Sequence, residues 1–235
     1  MRAAAGFSGN IAVGSLARSL RDATNEGRNA SNPPGSDAPY AKGALVAASV
    51  APGLAPFVAA RVGLGGEFEG GLTYTGRAVR ADLRRSFELA RSWSLGAGIG
   101  GSAALYGHAS GADLPDVDLG ALHGWGADVP VLVGYDSDGG LYTAWAGARA
   151  GWEHVSIGPP PAQPGTDTLG AQPPSLSAVR LWAGGVLGLA AGFRHVHVAA
   201  ELDVTYDRIT GVFNQAHTTV AGPTVAPATA LWWQF

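Results

Sequence analysis

The chain has 235 residues, a formal net charge of -3, no cysteine, 36 glycines and 15 prolines, and only 14% of it is charged. This length suits one domain of barrel type or two small ones. The charge excludes a strong electrostatic case for nucleic acid, and the missing thiols exclude a disulfide framework or a thiolate metal site while leaving the redox compartment open. An ordinary soluble protein carries about 25% charged residues, so a surface facing water everywhere would be thinly supplied here, whereas the glycine and proline content suits repeated strands and turns.

Met1 and Arg2 lead into AAAGFSGNIAVGSLARSL, which lacks the unbroken apolar core of a signal peptide. Ile11, Val13 and Ala17 suit one face of an extra strand, and in the polar stretch that follows, Pro33, Pro34, Gly35 and Pro39 oppose regular structure. The uncharged run from Gly43 to Ala60 has the length of a membrane helix, but Pro52, Gly53 and Pro56 interrupt it. Two strands around a turn are expected instead, one through Leu45 and Val50, the other through Val58, Ala60, Val62 and Leu64 with Arg61 on the opposite face.

The next hairpin alternates along almost its whole length. With Gly76 and Arg77 as a two-residue turn, Phe68, Leu72 and Tyr74 share a face with Val79, Ala81, Leu83 and Phe87, and Glu69 falls opposite Arg84 on the polar face. Arg85 falls on the apolar face near its end, where it can snorkel. Trp93, Leu95, Ala97, Ile99, Ala103 and Leu105 form another apolar face backed by Ser94, Gly96, Gly98, Gly100 and Ser102, small residues that leave room for long side chains from neighbouring strands.

A polar loop, HASGADLPDVD, leads to the most informative stretch, Trp125 to Trp152. One face of its first strand carries Trp125, Ala127, Val129, Val131, Val133 and Tyr135; one face of its second carries Tyr142, Ala144, Ala146, Ala148, Ala150 and Trp152. The aromatics in each strand are ten residues apart, which at about 3.3 Å per residue and a tilt of about 40° is a rise of roughly 25 Å, the height of a barrel's lipid-facing band. Pairing Tyr135 with Tyr142 sets Trp125 opposite Trp152 and Asp128 opposite Arg149. Pro130 and Trp145, on the polar face, fit the pattern less well.

A loop with six prolines between Pro159 and Pro174 follows, then a strand from Arg180 to Phe193 presenting Leu181, Ala183, Leu187 and Leu189. The cleanest alternation puts Val196, Val198, Ala200, Leu202, Val204 and Tyr206 on one face and His195, His197, Glu201, Asp203, Thr205 and Asp207 on the other. A loop, RITGVFNQAH, and a last strand ending LWWQF complete the chain.

From Gly43 onward, short connections at Gly65, Ala90, Asp136 and Arg194 alternate with variable or long ones at Gly53, Gly76, His108, Pro160 and Gly211. The expected fold is all-β: an antiparallel up-and-down transmembrane barrel of about ten strands, or twelve if the N-terminal segment contributes. The barrel is expected over 43–235, preceded by a segment 1–42 holding the polar loop and a candidate extra strand.

The end of the chain, Leu231, Trp233 and Phe235, resembles the terminal signal of outer-membrane β-barrel proteins of Gram-negative bacteria, with Ala230 where glycine is common. Strands, loop asymmetry and terminus together resemble a small member of that class from about residue 43 to 235. The resemblance implies outer-membrane localisation with both termini in the periplasm and an export signal removed or left out of this numbering. It implies lipid, lipopolysaccharide and the barrel-assembly machinery as partners. It names no activity, and any extracellular partner stays unidentified.

Site residues follow from the same pattern: Glu69, Arg84, Asp128 and Arg149 as lumen salt bridges, and Trp125, Tyr135, Tyr142 and Trp152 as aromatic girdle. His195 and His197 share a face, but no third ligand is set by spacing, so no metal or other cofactor is assigned. The candidate acids and bases His108, Asp113, Asp116, Asp118, Asp207 and His217 are joined by no motif, so no catalytic residue is named. Mixed charges on the polar face favour a closed salt-bridge network. A structural or surface-interaction barrel leads, with a small-solute channel, an outer-membrane hydrolase or lipid-modifying enzyme, and a soluble lipocalin-like binder as alternatives.

Overall fold

The computed structural model describes residues 1–29, 38–105, 114, 117–137, 139–158 and 175–235. Ten antiparallel strands close into one up-and-down barrel. They are β1 (Arg2–Ala12), β2 (Gly53–Gly65), β3 (Phe68–Tyr74), β4 (Ala78–Ala90), β5 (Trp93–Ala104), β6 (Leu122–Asp136), β7 (Tyr142–Ile157), β8 (Leu176–Phe193), β9 (Val196–Phe213) and β10 (Ala216–Gln234). Two helices, α1 (Ser15–Asn29) and α2 (Ala38–Val50), connect β1 to β2. No helix among the described residues is long and apolar enough to cross a membrane, which leaves the strands untested.

Closure depends on β1, whose Ala5 pairs with Leu231 of β10 on one side and Val58 of β2 on the other. An N-terminal strand is therefore part of the wall, but of Ile11, Val13 and Ala17 it holds only Ile11, since Ala17 and the polar residues as far as Asn29 belong to α1. In exchange, the run through Leu45 and Val50 is helical and not a strand as its composition suggested. Every described position from Ala44 to Val50 is fully buried, so the helix is apolar all round and shows neither an amphipathic period nor strand alternation. Pro52, just past its end, stops it.

Alternation makes the wall inside out relative to a soluble barrel. Outward positions include Val58, Leu72, Ile99, Val129, Leu187, Leu189, Val198 and Tyr206, all exposed. Inward positions of the wall carry Arg61, Asp82, Asp128, Arg149, Glu201 and Asp207. The β3–β4 turn is the two-residue one expected: Thr75 N donates to Ala78 O (2.9 Å), and Gly76 takes φ +72°, which glycine adopts without cost. Glu69 pairs with Arg84 and Thr73 with Arg80 across that hairpin.

The β6–β7 register differs from the expected one by two residues. Tyr135 pairs with Ala144, Trp125 with His154 and Pro130 with Arg149. The cause is the loop, which Ser137 closes with its backbone N on Tyr142 O (3.0 Å) while its Oγ accepts from Leu141 N and Tyr142 N. Each strand thus gains a pair beyond Tyr135, and a shift of two leaves every side chain on its expected face. Between β5 and β6 the pairing lapses at Gly98 and Ile99, between Ala97↔Val131 and Gly100↔Asp128, where Pro130 has no N–H to give. A further difference lies at RITGVFNQAH: strands β9 and β10 continue to a tight turn at Asn214 and Gln215, because Ile209, Phe213 and Val220 wall the helical plug.

The two ends of the barrel differ. One holds residues 1 and 235 and the short turns at Gly66, Arg91, Ser137 and Arg194; the other holds the helices and the turns at Gly76 and Asn214. At this second end α2 packs inside the wall, and Leu45, Val46, Tyr40 and Leu16 form one apolar cluster with Leu122, Val155, Ile157, Leu176, Ile209 and Phe213. The Tyr40 and Phe213 rings lie 5.7 Å apart. The Ser15 hydroxyl donates to the Ala221 carbonyl and ties α1 to β10.

Helix α1 lies against α2 at Gly43, where a Cβ would meet the Ala23 side chain and sit 2.6 Å from the Ser19 carbonyl oxygen. Leucine at this position overpacks the contact, which typically costs about 1–3 kcal/mol. Gly43→Leu is therefore expected to lower thermal stability and open α1 to protease in the purified protein. Unchanged melting with an equally protected α1 would show that the two helices are not held together here.

Candidate functional site: the barrel interior

From the helical end inward, the first polar layer caps α2. The last carbonyls of a helix have no partner within it, and here the wall supplies them: Arg77 Nη2 donates to Ala48 O (2.9 Å), Arg180 Nη1 to Ser49 O (3.2 Å) and Asn10 Nδ2 to Val50 O (2.9 Å). Two of these donors are cations at the negative end of the helix dipole, where positive charge is favoured. Arg77 and Arg180 also flank Glu153 at 3.4 and 3.6 Å, and Arg180 Nε reaches Asp207 at 2.6 Å. The plug is thus bonded to the wall through charge as well as apolar packing.

The second layer is a closed ion-pair network across the lumen. Asp82, its side chain 0% exposed, meets Arg61 (2.6 Å), Arg80 (2.6 Å) and Arg84 (3.1 Å). Arg80 continues to Asp128 (2.8 Å), and Arg149 joins Asp128 (3.1 Å) to Asp203 (3.6 Å). Small residues make room: a Cβ on Gly100 would strike the Arg80 guanidinium, and one on Gly98 would lie 2.7 Å from Arg84 Cγ. A polar cavity of about 200 Å³ separates this network from the cap of α2.

Below the network the lumen widens into a cavity of about 760 Å³ toward the short-turn end. Trp145 lies against Gly188, donates from Nε1 to Glu201 Oε2 (2.7 Å), and is stacked at 6.3 Å with Trp232. His197 packs against Trp232 at 5.2 Å, with Nε2 3.2 Å from the Gly140 carbonyl oxygen.

Asp128 and Arg149 meet diagonally despite the shifted register. Glu69 and Arg84 face each other across the hairpin on the lumen side, yet the Glu69 carboxylate reaches Arg2 (3.7 Å) and Arg61 (3.9 Å) while Arg84 turns to Asp82. On the outer surface the Trp125 and Trp152 rings meet edge-on at 4.4 Å, and those of Tyr135 and Tyr142 lie 6.2 Å apart. Leu231, Trp233 and Phe235 project outward and are exposed. Arg85, also outward, lies over Phe87 (4.8 Å) and Phe68 (5.3 Å).

The described residues among the remaining acid and base candidates do not converge. His108, Asp113 and Asp116 lie outside the described residues, Asp118 accepts from Gly120 N, Asp207 is spent on Arg180, and His217 is on the outer face. His195 Nδ1 sits 2.8 Å from the Gln234 carbonyl oxygen, apart from the contacts of His197, and no cluster able to hold a metal occurs among the described residues. Sequence patterning missed Arg77, a turn residue, and Asn10, because their partners exist only once α2 is inside the barrel. Trp145 and Trp232 did carry a signal, as tryptophans out of phase with the apolar face.

The sequence matches no protein-family model and no curated protein.

Proposed function

We propose that the chain is an integral outer-membrane β-barrel of a Gram-negative bacterium with a structural or surface-interaction role, its lumen closed by the helical plug and the ion-pair network. One observation carries this proposal: a closed barrel with apolar residues outside and charged residues inside. A lipocalin-like soluble barrel needs the reverse. In water the outward belt would far exceed the apolar patches that monomeric proteins expose.

The edges of the belt support the same conclusion. Toward the short turns it ends in Trp93, Tyr135, Tyr142 and Trp233; toward the helices it ends in Trp125, Trp152 and Tyr206, beyond which outward positions become largely polar, with His154, Ser156, Ser177, Arg208, Thr210 and Thr219. Amphipathic rings at both limits of an apolar band are the arrangement headgroups select. In this orientation the short turns and both chain ends face the periplasm, and the long connections face outward. Lipid and lipopolysaccharide surround the belt, and the assembly machinery inserts the barrel.

The plug and the paired charges favour a closed wall over a small-solute channel. Purified protein in planar bilayers is expected to give no steady single-channel steps, and the protein is expected to need detergent or lipid to stay monodisperse. Regular conductance steps from the unaltered chain would overturn the closed lumen. A monodisperse, detergent-free preparation would overturn the membrane assignment itself.

A further inference from the structure

We infer that the cavity at the short-turn end is a binding site for a small organic anion with a flat apolar body. The cavity is a vestibule, not a passage: it opens at the short turns, and Arg61, Arg84 and Arg149 of the ion-pair network form its floor. A solute entering there meets a dead end and either binds or leaves. Its volume, about 760 Å³, lies within the range of small-molecule sites, roughly 300–1,000 Å³.

The lining selects the sign of the charge. Five arginines and three carboxylates face the cavity among the described residues, and all three carboxylates are engaged, Glu201 by Trp145, Glu69 by Arg2 and Arg61, and Asp136 by the Thr143 hydroxyl. Asp82, the strongest counter-charge nearby, is fully buried and shared among three guanidiniums. Arg84 has only that shared carboxylate as an ion-pair partner among the described residues, and its side chain is 30% exposed. A carboxylate or phosphate at the floor gives Arg84 a charge-assisted partner of its own, of the kind guanidinium geometry favours.

The lining also selects the body of the ligand. Trp145 is laid flat on the wall by Gly188 and lines the cavity beside Trp232, and Pro130, Leu132 and Val186 contribute apolar surface around them. Gly96, two strands away on β5, leaves open space: a Cβ there would have no atom nearer than Leu132 O at 3.9 Å. An aromatic acid fits this combination of a flat indole, apolar sides and a cationic floor. The site exists whether the outer belt meets lipid or not, so its test is independent of the membrane assignment.

The test uses the full chain in amphipol, titrated calorimetrically with 4-phenylbutyrate and phenyl phosphate, with 4-phenylbutanol as the uncharged control and inorganic phosphate as the charge without a body. Saturable one-to-one binding of the two aromatic anions is expected, at least tenfold tighter than either control. Gly96→Phe puts a ring into the cavity while leaving every ion-pair residue in the chain, and is expected to weaken binding at least tenfold. Arg84→Gln is expected to weaken it about tenfold and Arg84→Lys less, while Trp145→Phe keeps a ring face and retains most of it. Folding of each variant is checked by heat-modified migration in electrophoresis. No saturable binding of either anion overturns the proposal. So does binding equally strong for the alcohol, or unchanged in folded Gly96→Phe, since both mean that the probe sits on the outer belt. If Gly96→Phe does not fold, the Arg84 pair decides: equal affinity in Gln, Lys and parent overturns the site.

Discussion

Replacing Asp82 by alanine is expected to destabilise the folded barrel by about 3–5 kcal/mol, the usual cost of removing one partner of a buried charge pair. Asp82 is the fully buried counter-charge for Arg61, Arg80 and Arg84, so its loss leaves three guanidiniums facing one another inside a narrow lumen. Arg80 keeps Asp128 and Arg61 keeps a distant Glu69, but Arg84 keeps no ion-pair partner among the described residues. Equilibrium unfolding in urea from lipid vesicles, followed by tryptophan fluorescence, measures the effect. A second change, Arg84→Met in the Asp82→Ala background, removes the stranded cation and is expected to restore part of the loss. A cost below about 1 kcal/mol would place this cluster with exposed ion pairs, whose contribution is small.

Arginine at Ala146 is expected to cost about 2–4 kcal/mol in a lipid-embedded barrel, and arginine at Ala150 clearly less. Both alanines point outward from β7, beside Val133 and Leu187 in one case and Val129 and Ala183 in the other. Ala146 lies near the middle of the span from Tyr142 to Trp152, whereas Ala150 is two residues from Trp152, where in a lipid-embedded barrel a long side chain reaches the headgroups. Depth therefore sets the penalty. On a surface facing water both substitutions would be nearly neutral, and in a buried apolar interface both would strand a charge with no reason for a gradient. Refolding the two variants into vesicles gives the comparison, and equal cost at both positions would remove the basis for calling this face lipid-exposed.

Which face of each strand is apolar was legible in the sequence, because side chains alternate strictly and the pattern needs no knowledge of the neighbour. Val129 and Asp128, Leu202 and Asp203, Leu83 and Asp82 sort to opposite faces by position alone. The register of β3 against β4 was equally legible, since Gly76 and Arg77 leave room for only one tight turn. The number of strands came out at ten on an incorrect inventory: an N-terminal strand was missing from the count, and a helix stood in for it.

What only the tertiary structure decided has a common physical cause, that the partner is remote in sequence. Helix α2 is hidden because burial on every side erases the period that marks a helix, and its place inside the barrel follows from the wall residues Val155, Leu176, Ile209 and Phe213. The β6–β7 register depended on how Ser137 closes its loop, a local bond that no alternation encodes. The lumen partners were set the same way: Glu69 stands opposite Arg84, yet Arg61 and Arg2 reach its carboxylate because closing β1 onto β2 and β10 brings them there. Local chemistry dictated the strands and their faces, while closure of the ring determined which charges meet, what plugs the lumen and where a cavity remains.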